Sequence, residues 1–235
     1  MNEFEEIIKK LKEINSMGWI KTHRAGTTGI GKTLEDLLGI KENNIPSSNT
    51  HTIELKSTRE NSSSMITLFT KSPLPRGANS KLLDRFGYPS SIEGGKKILQ
   101  TTVNALSFNK LKDNIGFKID FQNDEINLID INSEILGYWN KEILKKSFER
   151  KLPNVLYVKA KSRGSGSNEE FWFYKAWLLN GFSFDNFIML IKEGVILIDI
   201  RIGQYPNGKI HDHGTAFRVL PNKLDLCFNN RILLM

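Results

Sequence analysis

The apolar residues of this chain repeat with two different spacings, and this change of period constrains the fold more than any other feature. Over residues 3–15 they recur every three or four positions, which predicts an amphipathic helix. Later segments alternate apolar and polar residues, or form short apolar runs such as VILIDI at 195–200, as strands do. The pattern therefore predicts an α+β fold built on a mixed sheet.

The same two periods predict the other elements. Residues 49–58 and 64–70 alternate like the two strands of a hairpin, with Asn61 to Ser64 as the turn. Further strands are predicted near 98–104, 115–121, 126–131, 154–162 and 170–177, and further helices within 27–39 and over 79–86, 139–150 and 183–193. No linker is long enough to split the chain, so residues 1–235 are predicted to form a single domain.

Composition limits the possible partners and locations. The net charge of the 235 residues is +7, which is compatible with a polyanionic partner such as nucleic acid. No apolar run approaches the roughly 20 residues of a membrane span, and the charged N-terminus does not resemble a signal peptide. Cys227 is the single cysteine and is interpreted as a packing residue, which fits a reducing cytoplasm.

Gly26 to Thr33, GTTGIGKT, matches the phosphate-loop pattern G-x-x-x-x-G-K-[ST]. That pattern requires a buried strand before the loop, whereas the preceding residues IKTHRA are polar and basic. A nucleotide hydrolase is therefore kept as an alternative. The acid that follows the glycines, Glu35, is placed on the first turn of a helix, where it could serve a site or cap the helix.

The stretch TIELKSTR places Glu54 and Lys56 two residues apart on a predicted strand, so both side chains point to the same face. A carboxylate that binds Mg²⁺ beside an ammonium that orients water suits phosphodiester hydrolysis. A solvated ion pair is the alternative. The tripeptide alone is weakly specific, since Glu149-Arg-Lys151 also has it.

In order, "GTTGIGKTLEDLLGI", "TIELKSTR", "ITLFTKSP" and "HDHGTAFRV" resemble the MvaI/BcnI restriction endonucleases, in the MutH-like branch of the PD-(D/E)xK nucleases. The resemblance is best over residues 26–75 and 150–220. It implies a mixed central sheet flanked by helices, with a catalytic lobe at about 1–135 and a DNA-recognition lobe at about 136–235. It also implies that Gly26 to Thr33 is not a phosphate loop.

The resemblance also implies roles for individual residues. Glu35 is expected to be the helix carboxylate of the site, Glu54 the central metal ligand with the Leu55 carbonyl beside it, and Lys56 the catalytic lysine. The family has an aspartate where spacing places Asn49 in this chain. Asparagine offers Mg²⁺ one neutral oxygen, so the hypothesis is an engineered or natural inactivating substitution. A shifted alignment is the alternative, with Asn43 and Ser47 as the other candidate positions, neither of them acidic.

Lys209-Ile-His211-Asp212-His213 leads to Gly214 and Arg218, and it resembles a target-recognition element of the family. His and Arg can donate to guanine N7 and O6 in the major groove. A zinc site at His211 and His213, or an ordinary polar loop, are the alternatives. Phosphate contacts are predicted for cations near the motifs: Arg59, Lys71, Arg76, Lys159, Lys161 and Arg163.

The expected function is that of a monomeric, Mg²⁺-dependent type II restriction endonuclease. Its substrate would be double-stranded DNA with a short, near-palindromic site. The chain would work in a bacterial or archaeal cytoplasm, alongside a cognate DNA methyltransferase with which it forms no stable complex. A catalytically silent DNA-binding module is the third possibility, because of Asn49.

Overall fold

The computed structural model describes residues 3–40, 44–45, 53–91, 96–111, 114–152, 154–205, 207–212 and 214–235. These residues divide into two compact units. The first comprises Met1–Ser64, Arg150–Phe182 and Leu224–Met235, and the second Met65–Glu149 and Ser183–Lys223. These borders differ from the predicted border near 135. That border divided a catalytic lobe from a DNA-recognition lobe by function, and this division stays a prediction.

The first unit is a mixed sheet with two helices on one face. Its elements are α1 (Glu3–Ser16), β1 (Ile20–Lys21), α2 (Gly29–Leu38), β2 (Asn44–Ile45), β3 (Ile53–Arg59), β12 (Asn154–Arg163), β13 (Glu170–Asn180) and β17 (Asn230–Leu233). The strand order is β1-β13-β12-β3-β2, and β17 also pairs with β13. Among the described strands of this sheet, only the β3–β12 pair is parallel, with Glu54 beside Val155.

Burial of the apolar stripes of α1 and α2 against this sheet forms the core of the first unit. Leu11 and Leu34 are fully buried, one from each helix. They pack with Leu55 of β3 and with Phe171 and Phe173 of β13. The alternation of these strands leaves the residues between on the opposite face. The expected α+β fold, with a mixed sheet flanked by helices, is confirmed.

The second unit contains the remaining elements. In chain order they are β4 (Ile66–Thr70), α3 (Ala78–Phe86), β5 (Tyr88–Pro89), β6 (Lys97–Val103), β7 (Lys110–Leu111), β8 (Asn114–Ile115), β9 (Phe117–Gln122), β10 (Glu125–Asp130), β11 (Ile135–Asn140), α4 (Lys141–Lys151, whose last two residues belong to the first unit), α5 (Phe184–Lys192), β14 (Ile196–Gln204), β15 (Ile210–Asp212) and β16 (Ala216–Val219). The larger sheet has the order β4-β16-β14-β6-β5, with β15 also on β14, and β9, β10 and β11 form a second sheet.

The predicted hairpin of residues 49–58 and 64–70 was wrong. Strands exist at β3 and β4, but β3 pairs with β12 and β2, whereas β4 pairs with β16. Alternation along a strand specifies which side chains are buried, not which strand lies beside it. The predicted helix at 139–150 begins at Lys141, because β11 occupies the residues up to Asn140.

One smaller expectation is confirmed. The Cys227 side chain is fully buried as a packing residue, and burial raises the pKa of its thiol to about 12. Among the described residues, no helix is both long and apolar enough to cross a membrane.

Candidate active site

Strand β3 turns the side chains of Glu54 and Lys56 to the same side, as predicted. Lys56 Nζ donates a hydrogen bond of 2.8 Å to Glu54 Oε1. Glu54 is only 6% exposed, so its charge requires a partner, because burying an isolated carboxylate is costly. The pair is therefore a buried ion pair and not the solvated charge pair that was the alternative.

Glu54 has a second cationic neighbour that the sequence did not indicate. Lys151 Nζ, at the end of α4, lies 3.6 Å from Glu54 Oε2. Within the described part of the chain this buried oxygen has no hydrogen-bond partner. Lys151 belongs to the tripeptide at 149–151 that matches E-x-K by chance. It lies near β3 because β12, which begins three residues later, pairs with β3.

Glu35 and Lys56 line one polar cavity of about 560 Å³. Arg24, Lys32 and Leu55 also line it. Glu35 is the seventh residue of α2, and the first turn of this helix contains no acidic residue. The predicted position on the first turn was therefore wrong. The alternative that Glu35 caps the helix was wrong for the same reason.

The glycine loop before α2 allows a close approach of the backbone. A Cβ atom at Gly29 would lie 2.2 Å from the Arg24 carbonyl oxygen and 2.8 Å from Thr22 Oγ1. Lys32, the lysine of the phosphate-loop pattern, donates from Nζ to Asp36 Oδ1 at 2.7 Å. The strand before the loop, β1, has two residues and lies at the edge of the sheet. The phosphate-loop alternative has no support.

The donor set suits a hard divalent cation. Mg²⁺ prefers oxygen ligands and binds through one or two carboxylates, and Glu54 offers a buried carboxylate oxygen that accepts no hydrogen bond from a described residue. Glu35 supplies a second carboxylate, at the cavity that Leu55 and Lys56 also line. Asn49 lies outside the described residues, as do Asn43 and Ser47. The described residues contain no group of three or more His, Cys, Asp or Glu arranged around a metal position.

The second unit has a polar sheet face that carries two of the predicted DNA-reading residues. On β14 the isoleucines at 196, 198, 200 and 202 are buried on one face. The residues between these isoleucines point to the opposite face of the sheet. On that face they are paired with Arg218 of β16, with Thr102 and Gln100 of β6, and with His211 of β15. Arg218 and His211 therefore share a face with Arg201 and Asp199.

Asp199 organises the two arginines of this polar face. Arg201 Nε donates to Asp199 Oδ2 at 2.7 Å, and Arg218 Nε lies 3.1 Å from the same oxygen. Thr102 Oγ1 donates to Asp199 Oδ1. Burial lowers the pKa of the Arg218 guanidinium from its usual value. One carboxylate with two guanidiniums leaves a net positive charge on this face. The sequence did not indicate Arg201 or this role for Asp199.

The segment at 209–213 is only partly available for contacts. The Tyr205 hydroxyl and His211 Nδ1 form a hydrogen bond of 2.6 Å, and Lys209 is exposed. The Asp212 carboxylate accepts from Ser72 Oγ, Asn79 Nδ2 and the Gly214 N–H. Asp212 was predicted to contact DNA, but these three donors occupy it. His213 lies outside the described residues.

The cations predicted to bind phosphates have different surroundings. Lys161 Nζ lies over the rings of Trp172 and Tyr174, at 5.1 and 5.5 Å from their centroids. Arg163 Nε donates to Glu170, and its guanidinium lies 4.4 Å from the Trp19 ring centroid. Lys71 is half-buried and its backbone carbonyl accepts from Trp139 Nε1. Arg59 is largely engaged inside the first unit, as described below.

Comparison with known proteins extends over nearly the whole chain. The sequence model of the MvaI/BcnI restriction endonuclease family matches residues 8–228. The solved complex of the restriction endonuclease MvaI with its cognate DNA substrate is 31% identical, with 100% of both chains covered and a TM-score of 0.82. MvaI in the absence of DNA is 30% identical, with 99% of this chain and 98% of that chain covered and a TM-score of 0.57. Comparison with curated protein sequences gives no significant match.

Proposed function

Because the chain belongs to the MvaI/BcnI restriction endonuclease family, we propose that Glu54, Lys56 and Glu35 are the catalytic residues of its DNA cleavage. The chain is a type II restriction endonuclease that acts on DNA. The observation that carries the assignment of the site is the buried Glu54 carboxylate. One of its oxygens is bonded to Lys56, which lines the same cavity as Glu35, and the other accepts no hydrogen bond from a described residue.

Enzymes of this type depend on a metal, and we assign Mg²⁺ to this chain. Glu54 and Glu35 would hold it, with the Leu55 carbonyl and the Asn49 side chain as the further ligands that the family resemblance implies. When bound, Mg²⁺ supplies Lewis acidity toward a phosphate oxygen and a water molecule. Oxygen ligands and a polar cavity are the surroundings that this ion prefers.

The residues of the chain supply the rest of the chemistry. The Lys56 ammonium orients the attacking water and offsets the negative charge that develops on the phosphate. Its short hydrogen bond to Glu54 holds it in place before substrate arrives, so little reorganisation is needed during the reaction. Lys151 adds a second positive charge beside Glu54, where it limits repulsion between the carboxylate and a DNA phosphate.

Double-stranded DNA is the proposed substrate, with a short near-palindromic site cut by a monomer. The polar face of the second unit supports a role in reading bases, since Arg218, Arg201 and His211 together present donors suited to guanine N7 and O6. We place the enzyme in a bacterial or archaeal cytoplasm, with a cognate DNA methyltransferase that protects host DNA without a stable complex.

Digestion of a large plasmid tests this proposal. Incubation of the Asn49→Asp chain with Mg²⁺ is expected to yield discrete fragments, and addition of EDTA is expected to abolish them. The unmodified chain is expected to cut far more slowly under the same conditions. A smear of random fragments would contradict site-specific cleavage. Specific retardation of DNA fragments without any cutting, even by the Asn49→Asp chain, would favour the second candidate, a catalytically silent DNA-binding protein, for which Asn49 is the supporting observation.

Replacement of Arg218 by Gln is expected to weaken binding to the recognised site by about 1–3 kcal/mol, the usual value of a good base contact. Binding to unrelated duplexes should change far less, because base contacts specify while phosphate contacts position. Competition binding with both kinds of duplex measures the difference. An equal loss of affinity for the recognised duplex and for unrelated duplexes would show that Arg218 does not read bases.

Replacement of Lys209 by Gln is expected to weaken binding to every duplex alike. Lys209 is exposed at the start of the predicted recognition segment, where its ammonium can meet a phosphate. Loss of one phosphate contact reduces the slope of log K against log salt by about 0.9. Titrations at several salt concentrations measure the slope, with the exposed Lys12 on α1, replaced by Gln, as the control. An unchanged slope would contradict the contact.

A further inference from the structure

Arg59 lies at the end of β3, five residues beyond Glu54, and forms a two-point ion pair with a residue far away in sequence. Its Nε donates to Glu169 Oε1 at 2.6 Å and its Nη2 donates to Glu169 Oε2 at 2.8 Å. Glu169 is only 8% exposed. The planar fork of arginine matches a carboxylate in this way, and lysine could not replace it with the same geometry.

The same guanidinium also holds the glycine loop before α2. Nη2 donates to the Gly26 carbonyl oxygen at 3.2 Å and Nη1 donates to the Thr27 carbonyl oxygen at 3.3 Å. The guanidinium lies 5.2 Å from the centroid of the Phe171 ring. Four hydrogen bonds inside the protein therefore use most of the five N–H groups that an arginine has.

Glu169 extends the connection to the other side of this loop. Its backbone carbonyl accepts from the Thr22 N–H at 2.8 Å. The Arg59–Glu169 pair thus contacts residues 22, 26 and 27, which lead directly into α2. Arg24 and Thr27, in the same loop, line the cavity that contains Glu35 and Lys56.

We propose that Arg59 and Glu169 are positioning residues of the catalytic site. They tie the glycine loop to the end of β3 and so set where Glu35, carried by α2, stands relative to Glu54, carried by β3. The inference rests on the proposed function of these two carboxylates. It replaces the role predicted from sequence for Arg59, which was a contact with a DNA phosphate.

Charge and burial distinguish a positioning role of Arg59 from a contact with a DNA phosphate. The Arg59 side chain is 24% exposed, and the carboxylate that neutralises it is 10% exposed. A neutralised cation with most of its donors engaged gains little from a phosphate. Removing one partner alone would leave a buried charge unpaired, which is strongly destabilising, so the test also needs a variant in which both charges are removed.

The experiment compares Arg59→Gln, Glu169→Gln and the double variant, all in chains that also carry Asn49→Asp. Single-turnover cleavage gives the rate constant, and duplex titration gives DNA affinity and its salt slope. Hydrogen exchange of the amides at 22–31 reports the loop without requiring activity. Thermal unfolding checks that each variant is folded at the assay temperature, and Lys209→Gln calibrates the salt slope of a true phosphate contact.

Each single variant is expected to cut about tenfold more slowly, the lower end of the usual effect of losing a group that orients metal ligands. The double variant should be no slower than the slower single variant, because both changes break one interaction. DNA affinity and its salt slope should stay as in the parent. A lower cleavage rate with unchanged DNA binding is not what general loosening of the fold would produce. Amide exchange at 22–31 should rise in all three.

A salt slope reduced by about 0.9 in Arg59→Gln alone would make Arg59 a phosphate contact and overturn the inference. Parental cleavage rates in all three variants would overturn it as well. If the Asn49→Asp parent does not cut DNA, whether or not it binds DNA, the proposed function fails instead. In that case exchange at 22–31 decides the positioning role, and unchanged protection overturns it.

Discussion

Replacing Asn49 with Asp is expected to raise the rate of DNA cleavage by roughly 100-fold or more. A third carboxylate would join Glu54 and Glu35 in binding Mg²⁺, and a well-held metal contributes several kcal/mol of transition-state stabilisation, with about 1.4 kcal/mol for each factor of ten. Single-turnover cleavage of a plasmid at saturating enzyme, with Mg²⁺ varied, measures both the rate constant and the Mg²⁺ midpoint.

Two matched variants test whether Asn49 is the correct position. Asn43→Asp and Ser47→Asp add the same negative charge to the same segment and are expected to leave the rate near that of the unmodified chain. Activation by one of them instead of Asn49→Asp would move the missing acid to that position. No activation by any of the three would contradict the hypothesis of an inactivating asparagine.

Replacing Glu54 with Gln, in the chain that carries Asn49→Asp, is expected to lower the cleavage rate by about 10³-fold. Losses of this order follow removal of one preorganised electrostatic group from a catalytic site. The amide keeps the size of the side chain but lacks the charge that holds Lys56 and a cation. DNA binding should remain, so the loss is measured in single-turnover rates at saturating enzyme.

The chain contains its own control for this change. Glu149 begins the second E-x-K tripeptide, lies on the exposed surface of α4 and pairs only loosely with Lys145, at 3.9 Å. Glu149→Gln is expected to keep the parental rate. Equal rates for Glu54→Gln and its parent would remove Glu54 from the catalytic site, whatever the family resemblance implies.

Local patterns in the sequence were sufficient to predict much of the catalytic strand. A period of two requires Glu54 and Lys56 to share a face, and burial of Leu55 in the core confirms it. The helix at 29–38 and the stop at Gly39, whose φ is 71°, also follow from local signals. These features depend on neighbouring residues only, so one segment of sequence contains the information.

Contacts between distant segments could not be predicted in the same way. Lys151 lies beside Glu54 because α4 ends where β12 begins, and Arg59 meets a carboxylate 110 residues away. The wrong hairpin has the same cause, since the partner of β3 is β12 and not the next strand along the chain. Asp199 and Arg201 also acquire significance only through the pairing of β14 with β6 and β16.

The parallel pairing of β3 with β12 has a consequence for the newly made protein. Residues 53–59 leave the ribosome long before residues 154–160, with which they pair, and translation adds about 5–20 residues per second. For several seconds the strand that carries Glu54 and Lys56 lacks its parallel neighbour, and Lys151 has not yet been made. The nascent chain therefore carries an incomplete version of the proposed site, and this site can be assembled only after most of the polypeptide has been synthesised.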